Sequence, residues 1–320
     1  MLVLYPELKP YIRHQLQVSD IHELYLDEAG NPDGIPLLFL HGGPGSACGS
    51  NSRRFYDPEV YRIITFDQRG CGRSTPHSEL EGNNTSNLIA DIEAIRVFLS
   101  IEKWVVFGGS WGATLALLYA QAYPQHVQAM ILRGTFLCRR SDLDWLYREG
   151  ASRIFPDHWK EFIEFIPQSE RYNLVEAYYQ RLTGPDELVR MAAAKSWTSW
   201  ESHCSKLRPS SDVQKLISKQ HNALALSRIE SHFFMSNGFI GENQILNNIA
   251  KIADIPAKIV HGRYDIVCPL ENSVTLHDNW PASELYIVRD AGHSASEPGI
   301  VDALIRATKE LSQQIEQNQD

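Results

Sequence analysis

Cysteine is sparse. The five residues, Cys48, Cys71, Cys138, Cys204 and Cys268, are odd in number, widely spaced and never form CxxC. That pattern argues against a disulfide framework and against a thiolate zinc site. Long apolar runs are missing as well: no stretch reaches the ~18 residues a membrane helix needs. The opening residues, Met1 to His14, carry Glu7, Lys9 and Arg13 without the apolar segment or small-residue cleavage site of a signal peptide. Positive charge is in deficit, with 30 Lys and Arg against 39 Asp and Glu for a net −9, so nucleic acid and anionic membrane surfaces are poor partners. There is no HExxH, no clustered Cys/His and no dinucleotide fingerprint behind a strand, so no metal and no organic cofactor is implied. The expected location is a reducing cytoplasm. Oligomeric state is not encoded in any of these features.

What is present is an ordinary globular composition, 43% apolar and 22% charged over 320 residues, enough for one large domain or one with a sizeable insertion. Short apolar runs at Ile35 to Leu40, Tyr61 to Phe66, Trp104 to Phe107 and Ala129 to Leu132 read as buried strands. Helices are expected over Ser86 to Ser100 and from Trp111 to about Tyr123, where Pro124 stops the second. This rhythm means βαβ units and a parallel sheet, which a hairpin near Gln15 to Glu28 could open. From Arg139 to Asn243 no strand is convincing. That stretch reads as short helices and holds four of the seven tryptophans, Trp145, Trp159, Trp197 and Trp200. Strands return at Ala257 to Val260 and Glu284 to Val288, and a helix over Ile300 to Ile315 closes the chain. One α/β domain, 1–138 and 244–320, interrupted by a helical insertion, 139–243, accounts for this order.

The strand at Trp104 runs into Gly108-Gly-Ser-Trp-Gly112 and then an Ala/Leu-rich helix. A G-x-S-x-G between strand and helix is a turn too tight for side chains on its flanks, and it lifts the serine hydroxyl above the sheet edge. Such a hydroxyl needs a base, and the base needs an orienting carboxylate. The two later strands each deliver one: His261-Gly-Arg-Tyr-Asp265 follows the first, and Arg289-Asp-Ala-Gly-His293 the second. The order Ser110, Asp265, His293 fits loops at the carboxyl ends of an open sheet. Three rivals exist. His261 stands directly at a strand end and reads as a packed residue, His277 falls within a helix, and Asp290 shares its loop with His293. Tetrahedral charge requires about two N–H donors. Trp111 supplies one, and the His41-Gly-Gly-Pro-Gly45 loop supplies the other at Gly43. Asp67-Gln-Arg-Gly-Cys-Gly-Arg-Ser74 reads as a turn bracing the site, with Arg69 or Arg73 in ion pairs.

The 41–45, 67–74 and 108–112 segments, with Gly262-Arg-Tyr-Asp265, resemble the proline iminopeptidases (prolyl aminopeptidases), and the likeness covers nearly the whole chain. Leu132-Arg-Gly-Thr-Phe136 and Glu149 to Pro156 join it. The resemblance implies an α/β-hydrolase fold, a mostly parallel sheet with a helical cap insertion. It also implies a serine exopeptidase that frees N-terminal proline from peptides through an acyl-enzyme. It carries the triad onto Ser110, Asp265 and His293 and the oxyanion donors onto Gly43 and Trp111, in agreement with the order argued above. In that family glutamates of the cap bind the substrate's free amine, and the matching residues here are Glu201 and Glu230. Each shares a helix face with aromatic or aliphatic residues at helical spacing, Trp197 for Glu201, Leu226 and Phe234 for Glu230. An internal partner such as Arg228 or Lys206 is the competing explanation. Phe136, Trp145 and Phe234 match positions that line the family's proline slot, and Cys268 should stand near the site. A capped esterase or amidase of the same fold is the rival activity, because the elbow serves both.

Overall fold

The computed structural model describes residues 1–208 and 220–317. Eight strands form one sheet: β1 (Ile12–Gln17), β2 (Glu23–Gly30), β3 (Ile35–Leu40), β4 (Tyr61–Phe66), β5 (Trp104–Gly109), β6 (Val127–Arg133), β7 (Ala257–Gly262) and β8 (Ser283–Val288). Their order across the sheet is β1-β2-β4-β3-β5-β6-β7-β8. β1 and β2 pair antiparallel, as do β2 and β4, and every later pairing is parallel. The middle strands are covered on both faces, which is why they read as unbroken apolar runs. On β5, Trp104 and Val106 belong to the cluster with helices α1 (Thr85–Phe98) and α2 (Trp111–Ala122), while Val105 and Phe107 join the opposite cluster with the last helix.

The path from β3 out to β4 and back across to β5 puts a topological switch between β3 and β5. The loops after these two strands flank the crevice where open α/β sheets hold their ligands. The first carries residues 41–45 and the second Ser110. Between β6 and β7 every described element is helical. These are α3 (Arg140–Tyr147), α4 (Ala151–Ile154), α5 (Pro156–Glu164), α6 (Leu174–Thr183), α7 (Glu187–Cys204), α8 (Gln220–Met235) and α9 (Gln244–Asn247), with short 3₁₀ turns. The part of the expected helical stretch at 209–219 lies outside the described residues. Aromatic stacking replaces a sheet as the insertion's core. Phe162 stacks on Tyr178 at 4.5 Å, Tyr147 on Trp197 at 4.6 Å, and Trp197 and Trp200 are fully buried. Helix α10 (Leu270–Asp278) and α11 (Pro298–Gln317) complete the α/β layer.

Candidate active site

Ser110 is the whole of the turn between β5 and α2. Its backbone sits at φ 58°, ψ −124°, which costs a non-glycine residue about 1–3 kcal/mol. The flanking glycines are sterically required. A Cβ on Gly108 would lie 2.1 Å from the Gly112 carbonyl oxygen, and one on Gly112 would lie 2.1 Å from that of Leu40. The Ser110 N–H is tied to the Arg133 carbonyl at 2.9 Å, which fixes the elbow against β6.

The loops after β7 and β8 bring Asp265 and His293 together, with His293 Nδ1 2.7 Å from Asp265 Oδ2. Both are buried, and the other carboxylate oxygen accepts the Cys268 N–H at 2.8 Å. Burial alone would raise the Asp265 carboxyl, but the neighbouring His293 charge and hydrogen bond outweigh it and hold the acid below its usual value. With Nδ1–H committed to the carboxylate, Nε2 carries the lone pair. That lone pair accepts from Arg133 Nη1 at 3.1 Å, and the same guanidinium nitrogen donates to the His293 carbonyl at 2.8 Å. Arg133, the last residue of β6, was missed by sequence reasoning. A cation at the carboxyl end of a buried strand was the available signal. The rivals fall away. His261 is fully buried and bonded to Ser273 Oγ and the Cys268 carbonyl, His277 lies in α10 against Ser283, and Asp290 is exposed.

Trp111 is the first residue of α2, where an N–H has no partner inside the helix. Gly43, at φ +108°, lines the same cavity as Ser110. The 67–74 turn braces this corner, as expected. Gln68 bonds both the His41 carbonyl and the Trp111 indole, Arg69 pairs with Asp91 at 2.7 Å, and Arg73 with Asp67 at 2.8 Å.

These residues open onto a cavity of ≈ 290 Å³ between sheet and insertion. Sheet-side loops contribute Gly42, Gly43, Ser110, Phe136, Cys268 and His293 to its walls, and the insertion contributes Tyr147, Phe234, Glu201 and Glu230. Phe136 and Phe234 meet edge to face at 5.9 Å. Trp145 is a correction: it does not line the cavity. Its indole packs on Gly150 and donates to the Ile266 carbonyl at 2.8 Å. Two residues along a helix point roughly 200° apart, so Tyr147 takes the wall instead.

Glu201 hydrogen-bonds the Tyr147 hydroxyl, and Glu230, 3% exposed, accepts the Trp197 indole N–H at 2.8 Å. Among the described residues neither glutamate has an ion pair with a cation, and Arg228 spends its guanidinium on the carbonyls of Ser78 and Leu182. Burial therefore dominates both acids. It pushes Glu201 up to about 7, and it raises Glu230 well above the usual range, with the Glu201 charge adding to the rise.

Residues 35–299 match a family model described as the alpha/beta hydrolase fold. A proline iminopeptidase from Xylella fastidiosa is 52% identical over 309 residues, 96% of this chain and 99% of that protein. One from Arabidopsis thaliana is 48% identical over 96% of this chain and 82% of its own length. Among solved structures, a putative lipase from Acinetobacter baumannii superposes with a TM-score of 0.68 at 16% identity, covering 98% of this chain and 93% of that one. An esterase from Exiguobacterium antarcticum gives 0.64 at 20%, covering 95% and 100%. These two likenesses speak to the fold alone.

Proposed function

The chain belongs to the proline iminopeptidases of the α/β-hydrolase fold, and from that premise we propose how its own residues free an N-terminal proline. It is a serine-type hydrolase whose substrates are peptides beginning with proline. In our reading Ser110 Oγ attacks the prolyl carbonyl carbon. His293 Nε2 takes the hydroxyl proton and returns it to the departing amine, and Asp265 holds the imidazole in that tautomer. The N–H groups of Gly43 and Trp111 receive the oxyanion. Water then hydrolyses the acyl-enzyme by the same steps. For the first transfer the Nε2 lone pair must turn from Arg133 to Ser110.

The observation that carries the reading is one site with two kinds of acid, Asp265 behind His293 and two glutamates in the cavity wall. Asp265 already has the His293 ring as its partner, whereas Glu230, buried, and Glu201, half-buried, have no cation among the described residues. The prolyl ammonium is the cation they lack, and Phe136, Phe234 and Tyr147 form the slot for its ring. We assign residues 1–138 and 244–320 to the catalytic domain and 139–243 to the cap. Among the described residues no helix is long and apolar enough to cross a membrane, and we place the enzyme in the cytoplasm.

Hydrolysis of a chromogenic anilide of free proline, run beside its N-acetyl derivative and a simple nitrophenyl ester, tests this reading. Turnover of the free-amine anilide but not the acetylated one, lost in Ser110→Ala, is the expected result. Turnover of the ester with neither anilide would make this a capped esterase and remove the amine role of Glu201 and Glu230.

A further inference from the structure

Beside the acyl cavity lies a second of nearly equal size, ≈ 280 Å³. The two share three lining residues, Ser46, Thr198 and Leu226. Gly42 and Gly43 face the first, whereas Gly45 and Gly49 face the second. The side chain of Leu226 reaches to Gly43, where a Cβ would lie 3.2 Å from Leu226 Cδ1. The shared wall is therefore a thin partition rather than a solid layer of core.

Its position relative to the carboxylates gives it meaning. Thr198 precedes Glu201 by three residues on α7, and Leu226 precedes Glu230 by four on α8. Residues three or four apart share a helix face, so the partition stands beside the amine pocket. A substrate lengthened at its N-terminus would have to grow through this wall.

We propose that Leu226, backed by Thr198 and Ser46, is the specificity-determining stop that limits the enzyme to one residue before the scissile bond. The proposal rests on the amine assignment above and adds a second lock to it. The carboxylates require a cation, and the partition denies an extended chain the room behind it. The space beyond is already formed, and among the described residues its walls include His77 and the small side chains of Ala47, Ala223 and Ala225. A glycyl or alanyl residue placed before the proline would enter it once the leucine is removed.

The experiment compares Gly-Pro-anilide with Pro-anilide as a ratio of kcat/KM in wild type and Leu226→Ala. The ratio cancels any general loss at the reacting centre. We expect it to rise about tenfold or more, the scale on which a few methylenes decide selection in an apolar pocket. Thr198→Ala thins the same wall and should raise the ratio by a smaller factor, and it serves if the leucine variant does not fold. Gly49 supplies the control. Its backbone is extended at φ −92°, ψ 175°, and nothing lies within 4 Å of where its Cβ would stand. Gly49→Phe placed in the Leu226→Ala background should bring the ratio back to about the wild-type value by filling the second cavity.

An unchanged ratio in folded Leu226→Ala, or in folded Thr198→Ala where the leucine variant does not fold, overturns the proposal. So does a gain that Gly49→Phe leaves in place, because that gain would come from a loosened cap and not from the cavity. Wild type that fails on Pro-anilide itself would instead overturn the amine assignment, so the two failures are separable.

Discussion

The sheet edge and the helical cap each hold carboxylates around one site, Asp265 behind His293 and Glu201 and Glu230 in the cavity wall, yet they treat them in opposite ways. Asp265 has His293 at 2.7 Å and is held below the ordinary carboxylate range. Glu201 and Glu230 have a phenol and an indole for neighbours, and both are raised. Asp265 and Glu230 are both buried and Glu201 is half-buried, so burial alone does not separate them. A ring N–H supplied by the protein, that of His293, does. The sheet keeps Asp265 partnered at all times, whereas in our proposal the cap leaves Glu201 and Glu230 incomplete until a substrate brings the missing charge.

That contrast breaks first at Asp265→Asn. This change should lower kcat by about 10⁴-fold through the wrong imidazole tautomer, and it should do so equally for Pro-anilide and for any ester the enzyme accepts. Glu230→Gln should separate the substrates. The kcat/KM for Pro-anilide falls by about 10²–10³-fold, the scale of removing one partner of a buried charge pair, while an ester without an amine changes little. Equal losses on both substrates would move Glu230 from amine binding to structure.

The third probe is pH. Burial pushes Glu201 up to about 7, so a carboxylate ready for an ammonium is expected only as pH rises through that region. The kcat/KM for Pro-anilide, divided by that for an ester, should climb about tenfold between pH 6 and 8 and flatten in Glu201→Gln. The ester profile removes the contribution of the triad.

The smallest effect is on stability. A carboxyl raised from 4.5 to about 7 binds a proton in the folded state that the unfolded chain releases. Its stabilisation is whole below pH 4.5 and is lost as pH rises through about 7. Glu201→Gln should therefore melt with wild type near pH 4 and about 5 °C above it at pH 8. A variant less stable than wild type at pH 8 would mean that a cation already sits on the pair.

The sequence was most readable where one physical demand acted alone. β3 and β4 coincide with their expected limits because strands buried on both faces tolerate little but apolar residues. The start of β1 was missed: Ile12-Arg-His-Gln-Leu-Gln lies at a sheet edge, is mostly exposed and has no strong alternation. The residues we propose as nucleophile, base and acid, Ser110, His293 and Asp265, each stand on a glycine-marked turn after a strand, and such turns are visible in one dimension. Trp145 and Tyr147 were not separable in this way, because both are aromatic and only the rotation of α3 decides which faces the cavity. Arg133 was hidden for a different reason. Its partner is 160 residues away, and no local pattern announces a contact of that range. Trp197 fell between the two cases. Its shared face with Glu201 was correctly read, but its indole crosses to Glu230 on the neighbouring helix.

The contact between the 41–45 loop and α8 carries one more implication. A Cβ at Gly45 would stand 2.8 to 3.0 Å from the Leu226 carbonyl oxygen, the Leu226 Cα and the Ala225 carbonyl oxygen. The cap thus rests main chain to main chain on the very loop to which we assign an oxyanion donor. A cap grafted from another hydrolase would have to reproduce this seam as well as its own pocket, since a helix displaced by a single methyl group would tilt the donor loop beneath it. Modular exchange of substrate preference is therefore limited here by a backbone fit, and a glycine with no chemistry of its own guards the compatibility of the two halves.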